Sequence, residues 1–134
     1  MNGVYPVEVR FKDIDLAGHV HNSVYLSYFE QARISLFNEF VAKDWDWKTN
    51  GLILARNEVD YIHPVYLNDK VQVRVYCNHI GTKSFTLSYE LFSENDQGER
   101  NVHTKGRSIL VCMNYKKQET VAIYEGWSEV LQIL

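Results

Sequence analysis

The chain has little that would tie it to nucleic acid, a membrane or an oxidising compartment. Its formal net charge is −3, and its basic residues are scattered, with Lys116-Lys117 too short a pair to attract a polyanion. It has two cysteines, Cys77 and Cys112. Both lie in apolar strand-like runs without Cys-x-x-Cys spacing, and they read as buried thiols of a reduced compartment, although sequence alone also permits a single disulfide. No run approaches the ~18 apolar residues of a membrane span. The stretch Met1 to Tyr5 has neither the basic region nor the apolar core of a signal peptide. These absences predict a cytoplasmic protein with no nucleic-acid partner and no membrane insertion. Gly-x-Ser-x-Gly elbows and phosphate-cradling Gly-rich loops are also missing, which removes two common routes to catalysis.

What is present suits one folded domain, residues 1–134. Of 134 residues, 46% are hydrophobic and 23% charged, a globular composition. A chain of this length can bury roughly two thirds of its unfolded surface. Aromatic residues make up 13%, which points to large buried or interfacial contacts. There is no internal repeat and no low-complexity segment.

Hydrophobic periodicity orders the elements. Tyr5 to Phe11 reads as a strand and Lys12 to Asn22 as a loop with Gly18 as its flexible point. Ser23 to about Ala42 carries apolar residues at helical spacing, at Tyr25, Phe29, Ala32, Leu36 and Phe40. Asn22 or Ser23 is the expected N-cap. Such a helix would be about 30 Å long. Lys43 to Gly51 follows as a short helix or capping loop. Strands are expected at Leu52–His63, ended by Pro64, then over Val71 to Tyr76, Phe85 to Leu91 and Arg100 to Tyr115. Turns at Leu67-Asn68-Asp69, Gly81-Thr82-Lys83 and Asn95-Asp96-Gln97-Gly98 join them. Gly106 marks an expected bulge or bend. Glu119 to Ile123 can extend the sheet, and Trp127 to Leu134 forms a terminal helix or tail. Short turns imply antiparallel pairing, so the class is α+β, an antiparallel sheet covered by one long helix.

One segment points to chemistry: Asp13-Ile14-Asp15-Leu16-Ala17-Gly18-His19-Val20-His21-Asn22, directly ahead of that helix. A helix N-terminus presents unpaired N–H groups and a partial positive charge. A carboxylate beside such donors suits attack on a carbonyl whose oxygen becomes negative. The bland alternative is an aspartate bracing a turn. His19 and His21 form a His-x-His pair, but no further ligands stand at zinc spacing, so neither metal nor cofactor is expected. Glu30 and Arg33, three apart on the helix, can simply pair, with Glu30 otherwise a secondary candidate for the acidic residue of the site.

The stretch from Val9 to Arg33, with Tyr61-Ile62-His63-Pro64-Val65-Tyr66-Leu67-Asn68-Asp69 and Gly81-Thr82-Lys83-Ser84-Phe85, resembles hotdog-fold acyl-CoA thioesterases of the 4-hydroxybenzoyl-CoA thioesterase type. The resemblance covers most of the chain in order. It implies a hotdog fold, with the sheet wrapped around the helix. A homodimer or homotetramer follows, with sites at the subunit interface, as does metal-free hydrolysis of a thioester of CoA or of acyl-carrier protein. It selects Asp15, the acidic residue nearest the glycine, as catalytic, either as general base or as nucleophile. Asp13 is left as a structural residue of the loop. His21 departs from the pattern, since many relatives have Asn there.

The oxyanion is expected at backbone N–H groups near Asn22 and Ser23, with His19 as a positioning residue. Lys83, Ser84, Lys105 and Arg107 are the expected CoA-binding residues. Tyr25, Phe29 and Val59 are the expected lining of the acyl pocket. A hydratase or dehydratase acting on the same thioesters is one alternative reading. A non-catalytic hotdog protein that binds acyl-CoA or acyl-carrier protein is the other.

Overall fold

A computed structural model describes all residues from Met1 to Leu134. The elements are β1 (Val4–Val7), α1 (Tyr25–Phe40), β2 (Asn50–Tyr61), β3 (Val71–Ile80), β4 (Ser84–Glu94), β5 (Arg100–Asn114), β6 (Glu119–Thr120) and α2 (Trp127–Gln132). The six strands form one antiparallel sheet in the order β1-β3-β4-β5-β2, with β6 on the end of β5. The sheet curls around α1, which is the expected hotdog arrangement. No helix is long and apolar enough to cross a membrane.

Alternation decides which face of the sheet meets the helix. Val71, Val73 and Val75 of β3 and Phe85, Leu87, Tyr89 and Leu91 of β4 point inward and are buried, while Gln72, Arg74, Tyr76 and Glu90 point outward. From α1, Tyr25, Tyr28, Phe29, Ala32, Leu36 and Phe37 complete the core. Fully burying such a side chain stabilises by ~1.5–3 kcal/mol. A side-chain N-cap contributes ~1 kcal/mol, and α1 has none at Val24. Packing against the sheet therefore holds the helix.

Several boundaries differ from those expected. β1 stops at Val7 because its partner strand ends there, Val7 facing Val71, the first residue of β3. The helix has 16 residues and is preceded by a 3-10 turn over Asn22–Val24. Neither Asn22 nor Ser23 is the cap; the His21 side chain accepts the Ser23 N–H. Residues 43–49 form turns, the capping-loop alternative. Gly106 is not a bulge: it pairs in register with Val59 and Tyr89. A Cβ there would fall on the Phe29 ring, which stacks on Tyr89 at 4.7 Å. The glycine lets the helix approach the sheet. Register shifts lie instead at Leu54/Arg56, Cys77/His79 and Leu91/Phe92.

Both cysteines are free. Burial raises the pKa of each thiol, which keeps them protonated and poorly nucleophilic at neutral pH.

Candidate active site

The loop ahead of α1 is organised by Asp13. Its buried carboxylate accepts the Arg10 backbone N–H at 2.9 Å and the Tyr28 hydroxyl at 2.7 Å. Burial, then the bond to this carboxylate, pushes the Tyr28 phenol pKa far above its ordinary value, so the phenol stays a donor. The Asp13 carbonyl accepts the His21 N–H at 2.9 Å, and Ile14 bridges Val20. These ties close residues 15–19 into a tight reversal, with Asp15 N–H bonded to the His19 carbonyl and Gly18 N–H to the Asp15 carbonyl. Gly18 has φ +87°, the left-handed region that favours glycine.

Asp15 sits on this reversal with its side chain 26% exposed. One carboxylate oxygen, Oδ1, accepts the Ala17 N–H at 2.9 Å. The His19 Nδ1 lies 4.0 Å from the same oxygen. Asp15 borders a cleft of about 490 Å³, lined by Asp15, His19, Val20, His21, Asn22 and Tyr25 on one side and Tyr61, Ile62, His63 and Pro64 on the other. The Tyr61 hydroxyl donates to the Asn22 carbonyl at 2.8 Å, and its ring meets Tyr25 edge-on at 5.2 Å. The Tyr25 phenol pKa is raised, first by burial, with the Tyr61 and Asp15 charges adding and the Val65 backbone partly offsetting.

The far wall is held from behind by His103, which is 4% exposed. Its carbonyl accepts the N–H groups of both Ile62 and His63. Its Nδ1 lies 3.0 Å from the Pro64 carbonyl and its Nε2 2.8 Å from the Ser93 hydroxyl. With a carbonyl facing Nδ1, the neutral ring is the Nδ1–H tautomer, donating to Pro64 and accepting from Ser93. Val65 in turn accepts the Val20 N–H at 2.8 Å, which joins the two walls.

The donors at the helix entrance are partly spent. The Ser23 N–H is taken by His21 Nδ1 at 3.1 Å and the Val24 N–H by the His21 carbonyl at 3.0 Å. The Asn22 N–H has no acceptor within the chain. It is the backbone donor left free at this turn.

The structure brings Asp15, His19, Asn22 and Tyr25 together on one cleft. Phe29 is instead in the core at 1% exposure, and Val59 is half-buried on the inner face of β2. Lys105 and Arg107 lie on the outer face of the sheet, opposite Asp60 and Glu58. Lys83 is at the far end: its carbonyl pairs with Cys112, whereas Tyr61 at the cleft pairs with Thr104. Eight residues of β5 separate those positions (104 to 112), about 26 Å at the rise of a strand. Within one chain, Lys83 and Ser84 are remote from Asp15. No group of three or more His, Cys, Asp or Glu side chains is arranged to hold a metal ion.

Sequence reasoning missed Tyr61, His63 and His103 as parts of this site. His63 before the strand-ending Pro64 was a visible signal. His103 was not, because it joins the wall only through the fold.

The fold and this cleft define a hotdog protein with a carboxylate at the entrance to its central helix. Residues 9–131 match the family described as the thioesterase-like superfamily, and the chain belongs to it. The family so shown is broader than the 4-hydroxybenzoyl-CoA type that the motifs resemble. An uncharacterized protein of Bacillus subtilis, YsmA, is 32% identical over 69% of this chain, and the match spans 61% of that relative's length. The 1,4-dihydroxy-2-naphthoyl-CoA hydrolase of Synechococcus elongatus is 27% identical, with 93% of this chain and 91% of the relative covered. A solved thioesterase of Thermus thermophilus, complexed with coenzyme A and Zn, is 34% identical with a TM-score of 0.79, covering 96% of each chain.

Proposed function

We propose that this protein hydrolyses acyl-CoA thioesters to the free acid and CoA, with Asp15 as the reacting carboxylate. The observation that carries this reading is the placement of Asp15 on a 490 Å³ cleft that is also lined by Asn22, whose backbone N–H is the one left unspent in the turn before the helix. As general base, Asp15 takes a proton from water while the oxygen attacks the thioester carbon. The oxyanion then collapses, the C–S bond breaks, and the proton passes to the CoA thiolate. As nucleophile, Asp15 displaces CoA to form a mixed anhydride that water opens. The Asn22 N–H and the turn it begins serve the developing oxyanion. The names of the naphthoyl-CoA relative and of the CoA-bound neighbour support the thioester class.

The same reading takes the protein as a cytoplasmic homodimer or homotetramer. β2 is an edge strand with one side unpaired, and Ile53 and Leu54 on it are 41% and 43% exposed. Such an edge invites pairing with a second copy. Pairing of that kind would let Lys83, Ser84, Lys105 or Arg107 of one subunit serve the cleft of the other and hold the CoA phosphates. Tyr25 and Val59 would line the acyl group, with Phe29 behind them.

The test is a panel of aromatic and aliphatic acyl-CoAs, 4-hydroxybenzoyl-CoA among them, read by free-thiol detection. Thiol release by the native protein and none by Asp15→Asn is the expected result. Equal release by both would remove Asp15 from the mechanism. Tight binding without release would mark a binding protein instead.

A further inference from the structure

The imidazoles of the cleft differ in what fixes their protons, and His21 is the informative one. Its Nδ1 accepts the Ser23 backbone N–H at 3.1 Å, and a backbone nitrogen can only donate. Nδ1 is therefore unprotonated, and the Ser23 hydroxyl, 2.8 Å away, is a second donor to it. In the neutral ring the proton must then sit on Nε2. No atom of the chain accepts that Nε2–H. His19 is the reverse case. Its Nδ1 faces two acceptors, the Val20 carbonyl at 3.4 Å and the Asp15 carboxylate at 4.0 Å. Its neutral ring keeps the proton there and leaves Nε2 as an acceptor. Of the two rings on the wall that carries Asp15, His21 alone presents a fixed and unspent N–H.

A neutral donor locked in one tautomer, on the wall that also carries Asp15 and the free Asn22 N–H, is matched to a carbonyl oxygen. Its gain rises as negative charge develops on that oxygen, since it need not reorient. We propose that His21 is a substrate-contacting residue whose Nε2–H donates to a carbonyl oxygen of the acyl-pantetheine arm, while its Nδ1 caps the turn into α1. The proposal rests on the thioesterase reading above for the identity of the ligand. The residue that departs from the family pattern thereby does two jobs with its two nitrogens.

The two jobs separate by substitution. Asn at this position still accepts the Ser23 N–H, as good N-caps do, but puts no donor where Nε2–H was. Ala removes both. His21→Asn is expected to lower kcat/KM on hexanoyl-CoA about 10- to 100-fold with a thermal midpoint close to that of the native protein. His21→Ala should lose both activity and stability. A kcat/KM for His21→Asn within about twofold of native would reduce His21 to a cap and overturn the proposal.

A second measurement on the native protein does not depend on turnover. Long-range ¹⁵N–¹H spectra of the imidazoles at neutral pH should show His21 as the Nε2–H tautomer. Its Nε2 signal should move when the ketone analogue of hexanoyl-CoA is added. An Nδ1–H ring, or an Nε2 signal indifferent to the analogue, rejects the donor role. If the native protein releases no thiol from any acyl-CoA, the thioesterase reading fails. The spectra then still decide whether His21 binds the carbonyl.

Discussion

At its N-terminal end α1 is entered from a loop tied by hydrogen bonds to a buried carboxylate, Asp13. At its C-terminal end it leaves through a cluster of aromatic rings, most of them meeting edge-on or tilted. Trp127 lies 5.8 Å from Phe37, 5.5 Å from Phe40, 5.4 Å from Trp45 and 5.0 Å from Tyr124, and it is 4% exposed. The polar end is directional: each bond fixes one atom's position, and Asp15 and His21 inherit that precision. The apolar end is nearly non-directional and gains from area. One helix thus separates the place where geometry is set from the place where stability is gathered.

That division predicts crossed phenotypes, and the largest is catalytic. On the proposed mechanism, Asp15→Asn removes the reacting carboxylate and lowers kcat about 10²- to 10⁴-fold. Unfolding midpoints should barely move, because the Asp15 side chain spends one bond on its own turn. Trp127→Ala is the opposite test. Truncating a buried Trp costs about 3–5 kcal/mol, read by urea denaturation, while kcat of the remaining folded protein should match native. A Trp127→Ala protein that folds well but hydrolyses nothing would show that the two ends are coupled.

Asp13→Ala falls between. It leaves the Tyr28 hydroxyl and the Arg10 N–H without their acceptor inside the fold. An abandoned buried donor costs ~1–3 kcal/mol, so a loss of about 2–4 kcal/mol is expected. Because Asp13 holds the reversal that carries Asp15, kcat should fall in the same variant. Loss of stability with unchanged kcat would separate the two aspartates.

The contrast also explains what was legible in the sequence. The apolar side was written in periodicity: Tyr25, Phe29, Ala32 and Leu36 at helical spacing, and Val71, Val73 and Val75 in alternation, are where burial is found. Asp15 and Asn22 were legible as polar residues before a helix, a signal the local chain carries. The cap was misread because a 3-10 turn moved it one residue back, to His21. Gly106 was misread because a glycine allowing a bulge and a glycine admitting the Phe29 ring look alike until the helix is in place. His103 could not be read at all. It meets Pro64 and Ser93 only after β4, β5 and the segment after β2 converge.

The smallest expected effect is a pH dependence shared by both ends. Burial is the first cause that raises the Tyr28 phenol pKa at the polar end, and it pushes Tyr124 at the aromatic end up to about 12. Unfolded phenols ionise near pH ~10. Above that pH the unfolded chain gives up protons that the native state keeps, so the native state binds more protons and stability falls with rising pH. This contribution is complete below pH ~10 and, for Tyr124, is lost as pH passes through about 12. Ionisation would also forfeit the Tyr124 hydroxyl's bond to the Gly51 carbonyl at 2.8 Å. Tyr124→Phe should therefore flatten the fall of urea midpoints measured at pH values of roughly 9, 10 and 11. Tyr28→Phe should flatten the same limb, and both variants should also lower the midpoint at pH ~7, because one strips Asp13 and the other the Gly51 carbonyl of a hydrogen bond. An alkaline limb that neither substitution alters would place the titrating group elsewhere and deny these two phenols their part in it.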